Sequence, residues 1–153
     1  MSNKLKIEQF YSPTSMQAIM SFEVEYDVQL PNGYREFLIK NNGGIPDEGV
    51  FKIINHPRQD DVELQLFMGL NTETDSSDLR FELNLFGDCM PVGLVPIACT
   101  GCINIVCLDL RNGFEKVVYW DMLEFWGVNI WNEDMLFGIS NTFEEFLSSL
   151  TVA

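Results

Sequence analysis

Val95–Asp121 reads VPIACTGCINIVCLDLRNGFEKVVYWD. The order is a strand, a tight corner of polar residues and glycine, a buried strand, a turn and a last strand. Ile103–Leu110 and Lys116–Trp120 are rich in Val, Ile and Tyr, which suit a pleated, half-buried surface. Between them, Arg111-Asn112-Gly113 supplies a turn, since Asn and Gly tolerate positive φ. Asn104, Val106, Leu108 and Leu110 share one strand face, and Ile103, Ile105, Cys107 and Asp109 the other. Apolar residues on both faces predict a central strand.

Outward from this stretch, the chain reads as helices that can cover a sheet. On the C-terminal side, NTFEEFLSSL offers Thr142-x-x-Glu145, or Asn141-x-x-Glu144, as a capping box. Phe143, Phe146, Leu147 and Leu150 then recur at helical spacing and predict an amphipathic helix. On the N-terminal side, Ser12-Pro13 predicts a helix start, with Met16, Ile19, Met20 and Val24 as its inward face. Leu30-Pro31 opens a second helix with Tyr34, Phe37 and Leu38 inward, stopped by Asn41-Asn42-Gly43-Gly44. Gly49–Ile54 and Val62–Leu70 read as strands, and Ser77–Phe86 as a short helix capped by Asp75 or Ser76. The expected fold is α+β: one domain over 1–153, a mainly antiparallel sheet with two N-terminal helices and the C-terminal helix packed on it. Val106, Leu108, Val118, Phe143, Phe146 and Leu147 are its expected core.

Charge bounds the function. The 153 residues carry 23 Asp plus Glu against 9 Lys plus Arg, a formal net charge of −14. Binding nucleic acid through its phosphates requires the opposite sign. No apolar run reaches the roughly 18 residues of a membrane span, and MSNKLKIEQF lacks a signal peptide's apolar block. A cytoplasmic protein is expected, with no nucleic-acid or membrane partner. An acidic surface of this size suits a partner with a basic face.

Residues for chemistry are sparse. His56, the sole histidine, sits in the loop NHPRQDD and reads as a surface residue without a catalytic partner. Cys89, Cys99, Cys102 and Cys107 include one C-x2-C, a weak zinc pattern without a second pair. Reduced thiols are expected, with no catalytic set, cofactor or metal.

Three blocks carry a resemblance. LPNGYREFLIKNNGGIP has an LP, an aromatic, Phe-Leu and Asn-Gly-Gly. Pro96-Ile97-Ala98, Gly101, Asn104, Cys107-Leu108-Asp109 and Val118-Tyr119-Trp120-Asp121 follow in order, and Ser140–Leu150 closes the chain. This pattern resembles the SUKH superfamily of immunity proteins, which also includes the yeast regulator of cell-wall glucan synthesis. Cys102 and Ile103 stand where the family commonly has small residues, and Met122 where it often has His.

The resemblance implies an immunity protein that neutralises a cognate toxin domain, a nuclease or deaminase with a basic surface, by stoichiometric binding. The alternative within the fold is a non-catalytic regulatory or scaffold module. A metal hydrolase built on Asp60, Asp61 and Glu63 would need histidines that the chain lacks. The expected contact residues are Asp47, Glu48, Asp60, Asp61, Glu63, Trp131, Glu133 and Asp134. All of these acidic groups fall in loops or at element ends, where binding residues concentrate. Phe125, Trp126, Trp131 and Phe137 are expected mainly to close the core, with Trp131 also a candidate anchor.

Overall fold

The computed structural model describes residues 5–8, 11–58, 60–86, 90–100, 104–121 and 133–152. In chain order the elements are β1 (Ile7–Glu8), α1 (Met16–Tyr26), α2 (Asn32–Lys40), β2 (Ile45–Pro46), β3 (Val50–Lys52) and β4 (Asp61–Phe67). There follow α3 (Leu79–Phe86), β5 (Leu94–Thr100), β6 (Ile105–Asp109), β7 (Lys116–Trp120), β8 (Leu136–Ser140) and α4 (Phe143–Ser149). Short 3-10 turns precede α3 and β8.

Strands β3 to β8 lie side by side in sequence order, each antiparallel to the next, while β1 pairs with β2 alone. Sequential neighbours need only short connections. β6 is central and every residue in it is buried, as its unbroken apolar run predicts. Pro96 lies in the neighbouring β5, where it cannot donate to a ladder; the register with β6 shifts between Pro96 and Ala98.

The sheet curls until its two edges meet. Beyond β3, the Ile54 N–H donates to the Gly138 carbonyl of β8 at 2.8 Å. At the other end of β3, Val50 and Thr151 exchange N–H···O bonds of 3.0 and 2.9 Å. These contacts cover an edge that would otherwise expose main-chain groups.

The Asn-Asn-Gly-Gly stop after α2 does more than end a helix. The buried Asn42 side chain accepts from the Leu70 N–H at 2.8 Å and donates to the Leu70 and Ser12 carbonyls. Gly43 and Gly44 follow at positive φ, and Gly44 exchanges both main-chain bonds with Phe67. A Cβ at Gly43 would stand 2.8 Å from the Phe67 carbonyl oxygen, so the close approach requires glycine.

Helices cover both faces. On one, Phe146 of α4 meets Phe51 edge-on at 5.4 Å, and Phe143 meets Tyr34 and Phe37 of α2 at 5.0 and 5.1 Å. On the other, Phe86 of α3 packs edge-on against Trp120 at 5.2 Å. α4 starts as its capping box predicts: Thr142 Oγ1 accepts from the Glu145 N–H, and Glu145 reaches back to the Asn141 N–H. Val106, Leu108, Val118, Phe143 and Phe146 are buried, but Leu147 is only half-buried at the margin of the core.

α1 departs from expectation. Ser15, not Ser12, caps it through the Ala18 N–H. Ile19, Phe22 and Glu23 point inward, whereas Met16, Met20 and Val24 are 45, 58 and 84% exposed. The acidic end of α1 is tied down internally. Glu23 accepts from the Leu30 N–H at 2.7 Å and from Arg35 at 2.6 Å, and Glu25 pairs with Arg80. α3 is capped by Asp78, whose Oδ1 accepts from the Arg80 N–H at 2.9 Å, rather than by Asp75 or Ser76.

His56 also corrects the sequence reading. Its side chain is 1% exposed and its Nε2 lies 2.6 Å from Asp121 Oδ2, with Phe137 and Tyr119 around the ring. A loop residue becomes interior here because the edges of the sheet close over it.

Candidate partner-binding surface

Asp60, Asp61 and Glu63 come together on the β3–β4 hairpin, and all three are exposed. The strand register sets Glu63 opposite Val50 and Asp61 opposite Lys52, on one outward face. Lys52 Nζ reaches Asp61 at 3.6 Å, with both side chains mostly in solvent. An ion pair so exposed is worth well under about 1 kcal/mol and is easily exchanged.

Asp47 and Glu48 lie further along the same ribbon, before Gly49, whose carbonyl accepts from the Leu64 N–H. Asp47 is exposed, yet its carboxylate accepts from the Lys6 N–H at 3.0 Å and so also holds the N-terminal segment. Glu133 and Asp134 stand apart from these, in the turn before β8. Glu133 is gripped by the Arg111 guanidinium, which also binds Asp109 at 2.8 Å. Trp131, like Phe125 and Trp126, lies outside the described residues, as do Cys89 and Cys102.

The arginines explain why the surface stays negative. Arg35, Arg80 and Arg111 are each bonded to carboxylates of the chain itself. Burial alone would raise the Asp109 pKa; the Arg111 hydrogen bonds outweigh it and hold the carboxyl below its usual range. Those same bonds, with Glu133's, raise Arg111 above its ordinary value.

Beside the acidic hairpin is a cleft of about 440 Å³, lined by Val50, Lys52, Asp61, Ile139, Thr151 and Val152 among others. Sequence reasoning found Asp61 but none of its cleft neighbours. Their meeting depends on the closure of β3 toward β8, which no local pattern encodes. A second groove of about 540 Å³ separates the α1–α2 loop from the β6–β7 turn, beside the exposed Phe114. Among the described residues, no three His, Cys, Asp or Glu side chains converge as a metal site would require. Burial raises the Cys99 thiol to about 11 and pushes Cys107 up further, so neither is a ready thiolate.

The profile of the SMI1/KNR4 family (SUKH-1) matches residues 13–149. The chain belongs to this family. The match takes in all three blocks quoted above up to Ser149, and the structure gives two of their residues physical roles. Asn42 clamps the Leu70 main chain, and Asn104 donates to the buried Tyr119 hydroxyl at 2.7 Å. A relative in Bacillus subtilis (strain 168), the SPbeta prophage-derived uncharacterized protein YokK, is 29% identical over 150 residues. The similarity covers 88% of this chain and 73% of that relative. No helix among the described residues is long and apolar enough to cross a membrane.

Proposed function

We propose that this SUKH-1 protein is a cytoplasmic immunity protein that neutralises a cognate toxin domain by stoichiometric binding, without catalysis of its own. Family membership across residues 13–149 is the observation that carries the proposal. The net charge of −14 supports a toxin with a basic surface, such as a nuclease or nucleic-acid deaminase. Those enzymes hold their substrate's phosphates with Lys and Arg, and a carboxylate-rich surface docked there would exclude it. The Asp60, Asp61 and Glu63 cluster is the strongest contact candidate because its side chains are exposed and its ion pair with Lys52 is held loosely in solvent. Asp47, Glu48 and Asp134 contribute to the field, and Glu133 does so less because Arg111 neutralises it.

Stopped-flow association with the cognate toxin domain tests the electrostatic part. The triple variant Asp60→Ser, Asp61→Ser, Glu63→Ser should associate more slowly than wild type at low salt. The difference should shrink as the Debye length falls toward about 3 Å near 1 M salt. Equal on-rates at every salt concentration would show that this cluster serves solubility alone.

A further inference from the structure

The outer edge of β3 and of the two residues after it has three main-chain rungs. Ile53 donates inward to the Asp60 carbonyl, so Val50, Lys52 and Ile54 direct their main-chain groups away from β4. Thr151 occupies the rung at Val50 and Gly138 the rung at Ile54. The rung between them, at Lys52, has no main-chain partner among the described residues, and Lys52 lines the cleft beside Asp61. We propose that this cleft is the docking site for an extended, basic segment of the partner protein, which joins the sheet edge at Lys52. The proposal rests on the reading of the protein as a stoichiometric inhibitor and says where on it the partner's chain is taken up.

Three features define the occupant. A volume of about 440 Å³ is the size of a small ligand pocket, so it admits a loop or a strand end rather than a folded face. Val50, Ile139 and the 70% exposed Val152 offer an aliphatic lining. Asp61 and Glu63 are exposed and stand on the outward face of the hairpin, opposite Lys52 and Val50. A segment alternating Arg with an aliphatic residue satisfies all three. Its main chain bonds the Lys52 rung, its aliphatic side chain covers Val50 and Val152, and its guanidinium displaces the Lys52 ammonium from Asp61. Arginine outcompetes lysine there because it offers a planar pair of donors to the carboxylate. An acidic segment would be repelled by the same carboxylates.

The test is an NMR titration of the whole protein with the octapeptide GSRVRVSG and its charge-reversed twin GSEVEVSG. Amide shifts should concentrate at Lys52, Ile139, Thr151 and Val152 with the first peptide and be absent with the second. Asp61→Asn with Glu63→Gln, and separately Val152→Arg, should each weaken binding at least about fivefold. All three changes fall on exposed side chains, and a thermal melt verifies that each variant stays folded. Shifts spread over the whole acidic surface, no shifts, or variants that bind like wild type would overturn the site. A neutralisation assay with the cognate toxin domain separates the two proposals. Val152→Arg neutralising as well as wild type would overturn the cleft and leave the inhibitor reading standing. Wild type failing to neutralise would overturn the inhibitor reading, and the peptide result alone would then decide the cleft.

Discussion

His56 and Asp121 are 65 residues apart in the chain, yet His56 Nε2 lies 2.6 Å from Asp121 Oδ2 with both side chains almost fully buried. The Arg58 N–H donates to His56 Nδ1 at 3.1 Å, which makes Nδ1 the acceptor and leaves the ring proton on Nε2, directed at the carboxylate. The pair fastens the loop after β3 to the end of β7, where the curled sheet closes. His56→Ala should therefore lower unfolding stability by about 1.5–3 kcal/mol, the range for a hydrogen bond to a charged group. Urea denaturation measures it. A loss below about 0.5 kcal/mol, typical of a surface substitution, would return His56 to the role its sequence context suggested.

Phe146 and Phe114 make a matched contrast. Phe146 is fully buried against Phe51, Phe67 and Phe143, whereas Phe114 is 59% exposed beside a turn. Phe146→Ala should cost about 3–5 kcal/mol. Phe114→Ala should change stability by less than about 0.5 kcal/mol in the same experiment.

The Tyr34 hydroxyl is buried and has no hydrogen-bond partner among the described residues. Burial pushes its pKa far up, so it stays protonated, and its donor is wasted. Tyr34→Phe keeps the ring stacked on Phe37 and edge-on to Phe143 while removing the unsatisfied group. It should be neutral or stabilising by up to about 1 kcal/mol. A destabilisation above about 1 kcal/mol would mean that the hydroxyl has a partner.

Asp109 and Glu82 should respond to pH with opposite signs. Arg111 depresses the folded-state pKa of Asp109, so its ionised form stabilises the fold above the ordinary carboxylate range. That stability is lost as pH falls through the depressed pKa. Asp109→Asn should be less stable than wild type at neutral pH and converge with it in acid. Burial raises the folded-state pKa of Glu82, so its protonated form is favoured below the ordinary value and that advantage is lost as pH rises through the raised one. Glu82→Gln should be more stable than wild type at neutral pH and level with it in acid. Denaturant midpoints across pH check both signs.

Elements whose signals are local were legible in the sequence. The unbroken apolar run of β6, the Thr142 capping box and the inward set Tyr34, Phe37 and Leu38 all appear as read. The buried face of α1 is only partly legible because the helix carries two apolar stripes that share no residue but lie side by side. Met16, Met20 and Val24 recur every fourth residue as regularly as Ile19, Phe22 and Tyr26 pack inward. The Glu23–Arg35 and Glu25–Arg80 pairs help to hold the inward stripe against the core. Those partners lie 12 and 55 residues away. The same holds for the surface. Asp60, Asp61 and Glu63 are neighbours in sequence and remain so in space, but the cleft that gives them a context forms where β3 approaches β8. His56 is interior for that reason too, and neither fact has a local signature.

Inhibition by stoichiometric binding is tested most directly by titrating the activity of the cognate toxin domain with the purified protein, at toxin concentrations well above the dissociation constant. Activity should fall linearly and reach its floor at one protein per toxin, with no change on longer incubation. Complete inhibition at a small fraction of one equivalent, progressing with time as a catalyst would make it, would contradict this function.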